Sequence, residues 1–322
     1  MTIVGDVKER GFGAVRDWAL ELDGLEPVRA VPHGELPEQA ILALADRVRG
    51  WHEVQRPRDV SLEVEPGVTL ERRWFPLETV GVYVPRNLVS TLVMCVVPAQ
   101  VAGVSRIVAC TPPEGAGLVA AAALLLGVDE VWALGGPQAI GYLAYVERVD
   151  KIVGPGNRYV NEAKLEVARD VAIDLPGGPS EVVVVGDGDP RLVELELAAQ
   201  QEHGADSVCQ AVATLDEAER IAPEHLVLLG DAERDAGLVR NAGSVFVGPW
   251  SPVAAGDYAT GGNHVLPTNG WARSLGGLGL EAFMKPVTFQ RLTEEGLARV
   301  RPTVEALAAV EGMPAHAAAV RR

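Results

Sequence analysis

Aromatic residues are scarce in this chain, at 5% of 322, and the apolar 48% is carried instead by Ala, Val and Leu beside 35 glycines. That mix suits helices packed on Val-rich strands, the α/β pattern. Positive charge is also short. Lys and Arg number 28 against 44 Asp and Glu, a net charge of −16, which argues against nucleic acid as a main partner because phosphate binding needs clustered cations. The three cysteines (Cys95, Cys110, Cys209) are odd in number and form no CxxC pair, so buried inert thiols in a reducing, cytoplasmic compartment are expected. The longest apolar run, from Ala116 to Val128, is too short to cross a bilayer, and no membrane association is expected. Met1-Thr-Ile-Val-Gly-Asp-Val meets charge at once, unlike a secretory leader. The dinucleotide fingerprint GxGxxG is missing as well: Gly154-Pro-Gly156 has two of its glycines and no third in register, which leaves a nucleotide loop or an ordinary tight turn both open.

At 34.1 kDa the chain can bury a sizeable core in one large domain or two smaller ones. Residues 1–76 read as two helical stretches, Val4 to Leu22 and Pro37 to Trp51, followed by a hairpin over Val60 to Trp74 with Glu65-Pro-Gly67 as its turn. No chemistry is assigned to them. From Val80 strands and helices alternate: strands at 80–84, 106–110, 130–134 and 151–153, helices at 91–102, 117–126, 137–146 and 157–168. This spacing predicts right-handed βαβ units and a parallel, doubly wound sheet over residues 77–178. A second, reduced Rossmann-like unit follows over 179–250, then a Gly-, Asn- and Pro-rich stretch (249–279) and a helical tail split at Gly312-Met-Pro314, together residues 251–322. The fold class expected is therefore α/β, two Rossmann-like doubly wound units with helical N- and C-terminal extensions. Ligands in such sheets sit at the carboxyl ends of strands, where the polar residues of the first unit are Tyr83, Gln138 and Asn157.

Four of six histidines fall beyond Gln200 in polar islands: Gln200-Gln-Glu-His203, Glu224-His225, Gly262-Asn-His264 and Glu311-Gly-Met-Pro-Ala-His316, with Gly256-Asp-Tyr258 between them. Histidine gathered with carboxylates and an amide fits a metal or acid–base site. Gln200 and His203, three apart near the end of a predicted helix, are expected on one face, where they are either two metal ligands or a solvated helix end. Asp257 and His264 lie in the irregular stretch, where turn chemistry is the alternative, and His316 opens a terminal helix, where it is otherwise an exposed cap. Gln200, His203, Asp257 and His316 would give zinc a mixed N/O set. His225 is the natural general base; Glu224 beside it would point the other way in an extended segment and serve a separate proton transfer.

Gly135-Gly-Pro-Gln-Ala-Ile140, Lys151-Ile-Val-Gly-Pro-Gly-Asn-Arg-Tyr-Val160, Gly178-Pro-Ser-Glu-Val182, Gln200-Gln-Glu-His-Gly204, Ala222-Pro-Glu-His-Leu226, Asn263-His-Val-Leu-Pro-Thr268 and Glu311-Gly-Met-Pro-Ala-His316 resemble histidinol dehydrogenase, in the order that family has them. The resemblance implies a zinc- and NAD-dependent enzyme that oxidises L-histidinol to L-histidine through histidinaldehyde. By motif it implies one zinc per subunit held by Gln200, His203, Asp257 and His316. His225 matches the base of the first oxidation and Glu224 the residue that activates water for the second. Ser180, His264 and Glu311 match substrate contacts, and Tyr83, Gln138 and Asn157 match NAD contacts. It further implies a homodimer in which the C-terminal segment, with Glu311 and His316, reaches the neighbour's site. Two features depart from the family: Tyr83-Val-Pro85 runs directly into Arg86-Asn-Leu-Val-Ser-Thr91 without a Gly-Gly pair, and the segment from His203 to Glu224 is short. The alternative is a non-catalytic relative that keeps the fold as a binding or regulatory subunit.

Overall fold

Val-rich strands buried on both faces organise the molecule. The computed structural model describes residues 1–186, 188–204 and 206–322. They divide into two compact units, residues 1–56 with 77–283, and residues 57–76 with 284–322. The first unit contains two parallel sheets. In the larger, the strands run in the order Val28–Arg29, Val131–Ala133, Arg106–Thr111, Thr79–Tyr83, Lys151–Val153, Ala172–Ile173. All neighbours are parallel except Val28–Arg29, which pairs antiparallel with Val131–Ala133. Counted from Thr79, this is the 3-2-1-4-5 order of a dinucleotide-binding fold, with its switch point between Thr79–Tyr83 and Lys151–Val153. Helix Val89–Ala102 is apolar almost all round and buried from Thr91 through Ala99, as a helix inside a large core should be.

The second sheet has the order Val208–Val212, Glu181–Val185, His225–Leu228, Ser244–Val247, all parallel. Its two central strands are wholly buried. The expected α/β architecture with two parallel sheets is thus observed. Cys95 and Cys110 are buried thiols and Cys209 a partly buried one. Among the described residues no helix is long and apolar enough to cross a membrane.

The second unit is a three-stranded antiparallel sheet in the order Met284–Leu292, Val68–Pro76, Val60–Glu65, with helices Glu294–Val310 and Pro314–Ala319. The hairpin turn falls at Pro66-Gly67, where Gly67 takes φ +81, the left-handed region glycine enters at little cost. Strand Met284–Leu292 was not expected from the sequence. Its residues mix Lys, Pro, Thr, Gln and Arg, and its pairing comes from strand Val68–Pro76, matched along all nine positions. The stretch after Pro249 is also more regular than expected, since Asp257 sits in a short helix, Val253–Tyr258.

Candidate active site

The second sheet receives its two central strands side by side, and Ser180 and Glu224 immediately precede them. Glu224 is aimed there by a turn at Ala222, which closes helix Leu215–Ile221 in the left-handed region (φ +55), an uncommon conformation for a residue with a Cβ. The Glu224 Oε2 accepts from the Ser180 hydroxyl at 2.6 Å and from the Glu181 N–H at 2.8 Å. Ser180 Oγ in turn accepts from the Gln200 amide nitrogen at 2.7 Å. Burial outweighs these hydrogen bonds and pushes the Glu224 carboxyl up to about 7.

His225 begins the strand. Its Nδ1 lies 3.0 Å from the Glu181 carbonyl, which only accepts, so Nδ1 carries the hydrogen and Nε2 the bare lone pair. That Nε2 is buried and has no hydrogen-bond partner, its nearest acid being Asp257 Oδ1 at 3.9 Å. Burial holds the imidazole below its ordinary pKa, so it is neutral near pH 7. The Glu224 carboxylate stands 3.5 Å from Nδ1 without a hydrogen bond to it.

Helix Val253–Tyr258 brings Asp257, and its first N–H, from Val253, donates to Glu196 Oε2 at 3.1 Å. His264 Nδ1 donates to the Asp257 carbonyl at 3.1 Å, and the Thr91 hydroxyl faces His264 Nε2 at 3.2 Å. Burial pulls His264 down to about 4. His225, Phe246, Asp257, Asn263 and His264 line a cavity of about 310 Å³, within the range of small-molecule sites.

Gln200 lies in the last turn of its helix, and His203 falls two residues past the helix end. The helix ends at Gln201, its last turn tightens as the His203 N–H bonds back to the Gln200 carbonyl, and Gly204 turns away at φ +131. Gln200 is buried and His203 exposed. Glu311 and His316 belong to the second unit and are exposed there.

Among the described residues no three of His, Cys, Asp or Glu are close enough together to hold a metal ion. The donor chemistry nonetheless fits one. Gln200 spends its amide nitrogen on Ser180, which leaves its oxygen as the outward donor. Burial raises the pKa of Glu181, Glu196, Glu224 and Asp257 alike, and among the described residues none of the four is paired with Lys or Arg. Buried acids without a counter-cation are stabilised by a divalent ion.

On the first sheet, Tyr83 and Asn157 flank the switch point. Tyr83 is buried and its hydroxyl accepts from the Gly136 N–H at 3.3 Å; Asn157 caps helix Arg158–Val167 by accepting from the Val160 N–H at 3.1 Å. Gln138 is 1% exposed and donates to Asp23 Oδ2 at 3.0 Å, while its amide oxygen has no partner. An orphaned buried acceptor fits a ligand that brings hydroxyl or amide donors, as a dinucleotide does. Asp23 was missed in the sequence, where the N-terminal region carried no assigned chemistry. Its one signal is an acid at the C-terminal end of a helix, the electrostatically unfavourable end.

The histidinol dehydrogenase family model matches the chain over residues 1–218 and 210–322, two segments that meet between His203 and Glu224. The chain is 37% identical to the histidinol dehydrogenase of Methanosarcina barkeri over 390 aligned positions, covering 99% of this chain and 90% of that one. With 322 residues here, at least 68 of those positions have no counterpart, which makes this a shortened form. It is 39% identical over 386 positions to that of Gluconobacter oxydans, covering 98% and 90%. The crystal structure of histidinol dehydrogenase from Elizabethkingia anophelis superposes with a TM-score of 0.90 at 32% identity, covering 99% of this chain and 89% of that one. The match runs the length of the chain and includes both parallel sheets, so the protein belongs to the histidinol dehydrogenase family of oxidoreductases.

Proposed function

We propose that this chain oxidises L-histidinol to L-histidine through histidinaldehyde, with zinc and two NAD. The observation that carries the reading is the buried, unpartnered Nε2 of a neutral His225, beside a carboxyl at about 7. A base of that kind takes the alcohol proton in the first oxidation. Glu224, near half-ionised at neutral pH, accepts a proton from the water that adds to the aldehyde in the second. Asp257, Gln200, His203 and His316 would hold the metal, and Ser180, His264 and Glu311 would contact substrate. Tyr83, Gln138 and Asn157 would contact the dinucleotide. Zinc, when bound, supplies Lewis-acid polarisation and fixes the substrate's heteroatoms. NAD, when bound, accepts hydride. The remaining work is the chain's own: the Glu181 carbonyl holds the His225 tautomer, and the cavity beside it has room for a small substrate.

The reading includes a homodimer in which Glu311 and His316 complete the neighbour's site. Supporting it, Val60, Leu62 and Val64 project from one strand and are 60%, 63% and 46% exposed, and Val310 is 88% exposed; apolar surface of this kind is what an obligate interface covers. A cytoplasmic setting suits the free thiols. The test is to incubate purified protein with L-histidinol, NAD and zinc and follow NADH and histidine together. About two NADH per histidine, lost on chelation and restored by zinc, is the expected result. No NADH from zinc-loaded protein refutes the reading in favour of a non-catalytic relative.

A further inference from the structure

A buried ion pair that the proposed chemistry does not use lies directly behind the first sheet's switch point. Lys164, on helix Arg158–Val167, and Asp174, just after strand Ala172–Ile173, have side chains 3% and 1% exposed and are joined through Lys164 Nζ and Asp174 Oδ1. Both act on one residue. Asp174 Oδ2 accepts from the Gly154 N–H at 2.7 Å, and Lys164 Nζ donates to the Gly154 carbonyl at 2.9 Å.

Gly154 is held on its third side as well. It takes φ +109, and a Cβ there would stand 2.1 Å from the Tyr83 carbonyl oxygen, so the backbone of the loop rests against the end of strand Thr79–Tyr83. Two residues on, the Gly156 carbonyl accepts from the Asn161 amide at 2.9 Å, and Asn157 is fixed as the helix cap. Gly154, Gly156 and Asn157 of this loop are therefore each held by a hydrogen bond from within the chain. A buried ion pair is a poor means to stability alone, since apolar residues of like volume commonly serve as well. What two opposite charges provide that apolar residues do not is a pair of strong hydrogen bonds to the two ends of one glycine.

We infer that Lys164 and Asp174 are positioning residues that preorganise the Gly154–Asn157 loop for the dinucleotide. This rests on the reading that NAD sits at Tyr83 and Asn157. A loop ordered in advance does not have to be ordered on binding, and that saving appears as cofactor affinity. Neither side chain touches the ligand. Their removal therefore weakens NAD binding while leaving turnover at saturating NAD intact.

The test compares the full-length, zinc-loaded chain with Lys164→Met and with the double variant Lys164→Met/Asp174→Asn, which leaves no unpaired buried charge and so guards against unfolding. NAD is the probe, by calorimetry and by KM. Expected is a loss of about tenfold or more in NAD affinity, with kcat at saturating NAD and KM for L-histidinol within about twofold of the unaltered chain. Unchanged NAD affinity in a cooperatively folded variant overturns the inference, as does a fall in kcat that saturating NAD does not restore. Failure of the unaltered chain to bind NAD defeats the functional reading itself, and the inference with it.

Discussion

Ser180 joins Gln200 to Glu224: one hydroxyl accepts from the amide nitrogen at 2.7 Å and donates to the carboxyl oxygen at 2.6 Å. A proposed metal ligand and the residue proposed for water activation thus share an orienting group, and that group decides which end of the Gln200 amide faces outward. Replacing Ser180 by Ala removes the only acceptor described for that nitrogen and frees the amide to flip. Zinc affinity, measured by competition with a chelator, is expected to fall about 10- to 100-fold, the usual effect of losing an outer-shell partner. An affinity within twofold of the unaltered chain shows that Ser180 does not orient Gln200.

The Glu196–Val253 contact makes a second link of this kind. Glu196 and Gln200 are one turn apart on helix Pro190–Gln201, and Val253 and Asp257 one turn apart on theirs, so a single 3.1 Å hydrogen bond ties the element carrying Gln200 to the one carrying Asp257. Glu196→Ala is expected to cost about 1 kcal/mol in urea unfolding and to weaken zinc, whereas Glu196→Gln keeps an acceptor oxygen and stays close to the unaltered protein. Equal losses in both variants would mean that the charge matters and the hydrogen bond does not.

Much of the fold is legible in the sequence because its strands are buried on both faces. Glu181–Val185 and Thr79–Tyr83 read as continuous apolar runs that only a parallel sheet covered by helices accommodates. Met284–Leu292 does not read so, because its partner strand lies some two hundred residues away in sequence and no local pattern records that pairing. The site shows the same division. The neighbours Glu224 and His225 are visible at once, but their setting is not. Tyr83 and Asn157 stand at the carboxyl ends of strands, where the rule for such sheets looks for ligands, while Ser180, Glu224 and His225 stand at the amino ends of the second sheet. The Gln200–His203 spacing promised a shared helical face, and the helix ends at Gln201, so His203 lies beyond it.

Metal-free protein carries a pH signature of the buried acid. The folded pKa of Glu224 lies at about 7, above the ordinary 4.5, so the unfolded chain loses this proton first as pH rises. Stability from this group is complete below about pH 4.5, declines as pH climbs towards 7 and is absent above it. Glu224→Gln stays neutral throughout and escapes the decline. The variant is expected to gain on the unaltered protein over that window by on the order of 3 kcal/mol at most, read from urea midpoints at pH 4.5 and 8. Parallel profiles would place the Glu224 pKa near its ordinary value.

His225→Asn and His316→Ala together test whether the second unit of one subunit serves the other. Each variant alone is expected to lose about 100-fold or more in kcat, the first with zinc content unchanged because only the base is missing. Turnover retained by His225→Asn would remove His225 from the role of base. When both variants are co-expressed and subunits assort at random, about half the dimers are mixed. If His316 acts on its neighbour, one of the two sites in a mixed dimer pairs an intact His225 with an intact His316, and about a quarter of full activity returns. If His316 acts within its own subunit, every site in the mixture keeps one defect and no activity is recovered. The outcome assigns the exposed His316 to one subunit or the other without a further structure.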